Sequence, residues 1–504
     1  MKRVIYLTLF CFAFALKGIS QNYFSKRIDI AGKESISSTL KLYDDSLFVP
    51  VFVFETGNTY SICLLKVTKT GVIFSQKRFK PVNVNYAGGN DLHIKNKKFY
   101  ISSITDYGNK LRNGLYVFNK DCDTIYTKSY GDTTFYNLGY KIQPYLKTNN
   151  KLLLIGLTDS TCGPPHSGKY RPFIKVVDTN GILYQTNLYL SNTKYRTLTK
   201  CDTTKHKGYI FSGVEQFGSS VGRNYIVKLD SNLNVSWVQY LLPQTYSFFN
   251  GLVSLKDGGN VISHNIIDSS SNNIFWERVG LSKLDANGNL LWEKYYGSKQ
   301  YDISSYAVKE LKNKGLIVCG AQRVTYTPNI TQVMGFLMCA DSMGNLKWWN
   351  NYIAKYPIKD TIADNYLYDV IEMPDKGFAA VGWAGGSLSP FNNIQQTWLL
   401  RVDSMGCLSP GCVPVLTTVQ QHLKNEVKII YYPNPSTGKL FIETTEFLEN
   451  TEIKLTDVAG KEIRKEKIRS AKTEINIAEL ENGIYFIEIL KEGRIITVQK
   501  LIKQ

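Results

Sequence analysis

The chain has 504 residues, too many for one ordinary hydrophobic core, so it needs several domains or a repeated architecture. Its 43% hydrophobic and 20% charged content excludes a disordered polymer. The net charge of +18 suits an anionic partner, but no run of five like charges marks a nucleic-acid site, and no nucleic-acid partner is expected.

Residues 1–20 have the pattern of a secretory signal peptide. Lys2 and Arg3 supply the positive end, and Val4–Leu16 is apolar but too short to span a bilayer comfortably. Gly18 and Ser20 are small residues at −3 and −1 of a cut between Ser20 and Gln21. Cys11 follows Phe10 inside the apolar run, which does not suit a lipoprotein. Beyond this point no stretch has helical apolar spacing. Abundant Tyr (33), Phe (24), Val, Ile and Thr point to strands.

From residue 21 to 412 one pattern recurs: a strand, a tight turn, then a strand with an aromatic. The clearest copies are LSKLDANGNLLWEKYYG (281–297), IVKLDSNLNVSWVQY (226–240) and LMCADSMGNLKWWNNY (337–352). Aligned on the first turn residue, the anchors are Thr68, Asn119, Asp178, Asp230, Asp285, Asp341 and Asp403, with gaps of 51, 59, 52, 55, 56 and 62 residues. A polar turn feeding a second short strand precedes each anchor, as in HKGYIFSG and NKGLIVCG, and a third strand precedes that. Four short strands recurring at roughly 50 residues predict a β-propeller of seven blades. The seventh copy lacks its outer strand after Asp403. FSKRIDIAGKESISSTLKL (24–42) resembles WEKYYGSKQYDISSYAVKEL (292–311), so the mature N-terminus is expected to supply that strand and close the ring.

The turn residues have a structural task. Asp accepts backbone N–H groups, Gly permits φ > 0, and Trp237, Trp292 and Trp348 are expected to pack between neighbouring blades. The spacing departs from that of sialidase Asp-boxes, of quinoprotein tryptophan-docking repeats and of calcium loops. His93, His166, His206, His264 and His422 are scattered, and no phosphate loop occurs. No catalytic residue, metal ligand or cofactor is assigned. Variable connections at 103–114, 158–171, 268–277, 322–333 and 382–397 share one expected face and are the expected binding surface. Cys407 and Cys412, with four residues between them around a Pro-Gly turn, are an expected disulfide.

Residues 413–427 lack strand-and-turn organisation and read as a linker. From 428 to 504 alternating strands resume, with thirteen basic against twelve acidic residues and turns at PSTG, AGK and ENG; they predict a small antiparallel, Ig-like β-sandwich. This segment resembles the type A C-terminal sorting domain of the Bacteroidota type IX secretion system. The matching residues are Tyr432, Pro433, Asn434, Pro435 and Gly438, then Leu455, Asp457, Gly460 and Lys461, then Leu480, Gly483, Ile484 and Tyr485, and the final QKLIK. The resemblance implies recognition by the outer-membrane translocon after periplasmic transit, and display at the cell surface or release. The expected function is a non-enzymatic module that binds glycan, lipopolysaccharide or protein on its variable-loop face. The alternatives are a propeller hydrolase or lyase acting on polysaccharide or peptide, and a structural part of the secretion or adhesion apparatus.

Overall fold

The structure, a computed structural model, describes residues 23–504 apart from 57–58, 81–86, 107–110, 132–135, 160–169, 191–194, 217–220, 242–243, 246–250, 272–273, 298–300, 328–329, 355–362, 387–394, 410–411, 413–428, 445–450, 458–460, 468–469, 471 and 492–493. The described residues form strands and turns, with no helix. Among the described residues no helix is long and apolar enough to cross a membrane. The chain divides into two compact units, 1–421 and 422–504.

The first unit is built from small antiparallel sheets, each consecutive in sequence. They span 35–79, 87–130, 137–188, 195–245, 251–296 and 302–352, and the last joins 363–402 with the strand Phe24–Ile28. The sheets at 302–352 and 363–402 are joined by one parallel pairing, Val333 with Asp364. The sixth sheet shows the common order: Asp302–Glu310, Leu316–Thr327, Ile330–Ala340 and Leu346–Tyr352, here called a, b, c and d. Strands b and c are apolar on both faces because each sheet is covered on both sides. Strand d is largely polar because it is the outer edge.

Apolar side chains from successive sheets interlock. Phe48 and Ile62 of the first pack with Phe99 and Tyr116 of the second. Tyr100 and Leu115 meet Leu152 and Val177 of the third, and Leu153 and Ile174 meet Phe211 and Tyr225 of the fourth. Ile210 and Ile226 meet Leu252 and Ile262 of the fifth, and Val279 and Tyr296 meet Val318 and Phe336 of the sixth. Ile317 and Trp348 meet Leu367 and Trp398 of the seventh. Ala379 and Leu399 of the seventh then share a core with Val49, Val51 and Cys63 of the first.

The seventh sheet takes its outer strand from the other end of the chain. Phe24 pairs with Arg401, Lys26 with Leu399 and Ile28 with Thr397, antiparallel throughout. The Trp398 indole donates to Ser25 Oγ at 2.9 Å across 373 residues.

In the second unit a three-stranded sheet (Ile429–Tyr432, Lys439–Thr444, Lys472–Asn476) and a four-stranded sheet share one core. Leu440, Ile442 and Ile475 of the first meet Ile453, Leu455, Ile487, Ile489 and Leu501 of the second. The expected linker, 413–427, lies outside the described residues.

Candidate functional site

The inner strands of the sixth and seventh sheets start in the same register. Asp302 and Tyr306 occupy the positions of Asp364 and Tyr368. Strand ends bring further side chains to this place: Glu277 in strand c of the fifth sheet, Arg323 in strand b of the sixth, and Tyr366 and Trp383 of the seventh. Arg323 Nη1 lies 3.2 Å from Asp302 Oδ2 and also hydrogen-bonds Tyr366. Asn265 Nδ2 donates to Glu277 Oε2 at 2.9 Å, while its Oδ1 accepts the Ser305 N–H at 3.0 Å.

Four aromatic rings stand beside these charges. Tyr366 and Trp383 stack at 4.7 Å and 21°, Tyr306 meets Tyr368 edge-on at 4.8 Å, and the Trp383 indole donates to the Tyr368 hydroxyl at 3.0 Å. Burial, with the nearby Asp302 charge second, pushes the Glu277 carboxyl up to about 7. Burial also raises the Asp302 and Asp364 carboxyls, and Arg323 opposes it. The site therefore offers one carboxylic acid near neutrality, two carboxylates beside a guanidinium, and flat aromatic surfaces. The tips of the variable connections, 107–110, 160–169, 272–273, 328–329 and 387–394, lie outside the described residues.

A second polar set joins the inner strands of six sheets. Asp369 feels Lys309, Lys200 and Lys41, Lys200 feels Lys141, and Lys309 feels Asp369, Asp202 and Asp91. Burial alone would raise Asp369; Lys309, 3.4 Å away, and then Lys200 and Lys41 outweigh it and hold the carboxyl at about 2. These acids also latch one sheet to the next. Asp91 accepts the Ile142 N–H at 3.1 Å, Asp202 the Ser254 N–H at 2.9 Å, and Asp369 the Thr39 hydroxyl at 2.9 Å.

His264, Ser282 and Glu293 have the residue types of a hydrolase triad but not its exposure. His264 Nε2 and Ser282 Oγ are 2.8 Å apart, and Ser282 donates to Glu293 at 2.8 Å. Ser282 is fully buried between strands, so this set ties strands b, c and d together. Among the described residues no group of acids, histidines and cysteines is placed to hold a metal ion.

The turn anchors share one geometry. Asp230 Oδ1 accepts the N–H groups of Asn232 and Asn234 at 2.7 and 2.9 Å. Asp178, Asp285, Asp341 and Asp403 repeat the two bonds, as do Asn119 and Thr68. Trp237, Trp292 and Trp348 pack against the turn glycine of the following sheet, Gly288, Gly344 and Gly406. Cys407 and Cys412 are disulfide-bonded. Ser20 and Gln21 lie outside the described residues.

In the second unit, Tyr432–Pro433 and Asn434–Pro435 are cis. Asn434 Oδ1 accepts the Ile502 N–H at 2.9 Å, and Ser436 exchanges backbone bonds with Ile502 and Gln504. The Tyr-Pro-Asn-Pro turn thus holds the last strand, Arg494–Lys503. Gly438 accepts the Ile477 N–H, Asp457 caps its turn through the Lys461 N–H at 2.9 Å, and Tyr485 donates to Glu481 at 2.9 Å. Gly483 and Ile484 begin the strand that pairs with Arg494–Lys503. Gly460 lies outside the described residues.

Residues 430–504 match the secretion system C-terminal sorting domain. The chain is therefore type IX cargo, exported to the cell surface or the extracellular space. No curated protein matches the chain. Solved structures similar to it include a puromycin hydrolase (10% identity, TM-score 0.41, 69% of this chain), of which it spans only 58%. The phage phi92 endosialidase is similar at 10% identity and TM-score 0.42, over 96% of this chain and 87% of that one. The β-propeller domain of the Trilobed protease from Pyrococcus furiosus is similar at 10% identity and TM-score 0.38, over 76% and 98%.

Proposed function

We propose that the cargo is a seven-bladed β-propeller, closed by Phe24–Ile28, that binds glycan through the aromatic and acidic cluster on its variable-loop face. The ring reading is supported by the shared core of the seventh and first sheets and by the register of Phe24 with Arg401. In this reading residues 1–20 are the signal peptide, 21–412 the propeller, 413–427 the linker and 428–504 the sorting domain.

The observation that carries the binding reading is the Tyr366–Trp383 stack beside Arg323, Asp302 and Glu277. Aromatic faces suit the apolar faces of sugar rings, while the carboxylates and guanidinium suit hydroxyl groups. A glycan-array screen of the mature chain tests it. Wild type is expected to retain a defined set of glycans, and Trp383→Ala to lose them at least tenfold. An empty array for wild type sinks the reading.

One observation favours a second reading, a hydrolase or lyase acting on polysaccharide: Glu277 has the protonation range of a general acid and stands near a second carboxylate. Release of new reducing or unsaturated ends from a bound glycan, lost in Glu277→Gln, would select it over binding alone.

A further inference from the structure

The short a–b and c–d turns lie on the side opposite the glycan site. We propose that this turn face docks on an anionic lipid surface.

The first observation is charge. Every a–b turn from the second sheet to the seventh exposes a lysine: Lys97, Lys147, Lys205, Lys256, Lys312 and Lys376. Lys97, Lys207, Lys314 and Lys376 sit at φ of 60°, 59°, 68° and 67°, where glycine or asparagine is less strained, so turn geometry does not explain lysine there. The exposed acids of these turns are mostly engaged. Asp45 pairs with Lys69, Asp257 with Lys283 at 2.8 Å, and Asp375 with Arg401 at 2.5 Å. The aspartates of the c–d turns face the same side, but each commits Oδ1 to two backbone N–H groups.

The second observation is apolar exposure. Thirteen large apolar residues are exposed among the described residues of the first unit. Twelve of them lie in a c–d turn or in the first two residues of strand d. Each sheet contributes at least one, from Phe74 (66% exposed) in the first to Met405 (46%) in the seventh. Scattered exposure needs no explanation, but exposure confined to one edge of every sheet does.

The third observation is a cleft of about 390 Å3 on the same side, lined by Lys41, His93, Lys95 and Lys97. It is large enough for a phosphate headgroup.

Together these features favour lipid over other occupants. A soluble polyanion would satisfy the lysines and leave the apolar rim in water. A second copy of the chain would set lysines against lysines. An anionic bilayer accepts both, with lysines at the phosphates and apolar side chains at the headgroup–acyl boundary. The export route ends at the cell surface or in the extracellular space, so the folded chain can meet a membrane from outside.

Co-sedimentation of the mature chain with vesicles tests the proposal. Binding is expected to phosphatidylglycerol–phosphatidylcholine vesicles, not to phosphatidylcholine alone, and to weaken at high salt. Lys205→Glu/Lys256→Glu/Lys312→Glu and, separately, Phe74→Ser/Ile182→Ser/Leu290→Ser should each lower the partition coefficient at least tenfold, with melting temperatures unchanged. Absence of wild-type binding overturns the proposal without any variant. So does full binding by the serine variant, which would indicate a face for soluble polyanions. The proposal rests on the ring arrangement, which removal of the first strand tests separately. A chain with its ring intact that ignores the vesicles would reject the docking face alone.

Discussion

The ring of Phe24 lies on the backbone of Gly71: a Cβ at residue 71 would come within 2.8 Å of Phe24 Cε1. The same relationship joins Trp292 to Gly344, at 2.9 Å, and Trp348 to Gly406, at 2.7 Å. In each case an aromatic near the outer strand of one sheet covers the turn of the next. Phe24 occupies that position although it lies hundreds of residues from the strand it accompanies. Gly71→Ala therefore meets both a contact and a φ of +83°, and should destabilise the chain by about 2 kcal/mol, read as a shift in denaturant midpoint. An unchanged midpoint would show that the Phe24 contact does not hold in solution.

Removing residues 21–32 takes away the outer strand of the seventh sheet and exposes the edge of Gln396–Val402. The melting temperature should fall by many degrees and aggregation should increase. A truncated chain that melts like the intact one contradicts closure.

Asp369 is a latch between the seventh sheet and the first, held by Lys309, the Thr39 hydroxyl and the Leu40 N–H. Asp369→Ala removes the acid that Lys309, Lys200 and Lys41 share; with Lys309 37% exposed and Asp202 and Asp91 still present, it should cost about 1–3 kcal/mol. Calorimetric unfolding is the measurement. A loss below about 1 kcal/mol would mean that water already screens the cluster.

Glu277 titrates at about 7 in the folded chain, above its ordinary value of 4.5. Between these values the folded chain holds the proton more tightly than the unfolded one, so stability falls as pH rises from about 4.5 through 7. The loss is on the order of 3 kcal/mol. Glu277→Gln removes this term. Its stability relative to wild type should improve between pH 5 and pH 8, followed by urea unfolding at each pH. Parallel pH curves for the two proteins would reject the assignment.

The sorting domain has a core of its own, built from Leu440, Ile453, Ile487 and Leu501, and should act away from its cargo. Residues 428–504 placed behind a signal peptide and a passive reporter should carry the reporter to the surface or medium of a type IX-competent host. A chain ending after Cys412 should accumulate in the periplasm. Fractionation decides both, and a periplasmic fusion would contradict portability.

The features legible in the sequence were those set by local chemistry. The Asp-x-x-Gly turns announce themselves because one side chain must accept two N–H groups, and Asp178 through Asp403 do so. The Tyr-Pro-Asn-Pro motif was legible because its residues are contiguous. The acidic and aromatic cluster was not, since Glu277, Asp302, Arg323 and Tyr366 come from three sheets and meet only through packing. Its one sequence signal was the matched start of two inner strands, DISSY and DNYLY, where Asp and Tyr recur at the same offsets. The central charge cluster was hidden for the same reason. Lys41 and Asp369 are ordinary residues until six strands bring them together.

The pairing of Phe24–Ile28 with Thr397–Arg401 also makes the first unit a test of its own completeness. A chain that stops, or is cut, before residue 397 leaves its opening strand without a partner and its seventh core half-built. Loop closure over such a span costs little more entropy than over a shorter one, so distance alone does not prevent the pairing. Presence of the far end does. An interrupted copy exposes an apolar sheet edge that quality-control proteases can recognise, whereas a full-length copy hides it with its own first strand.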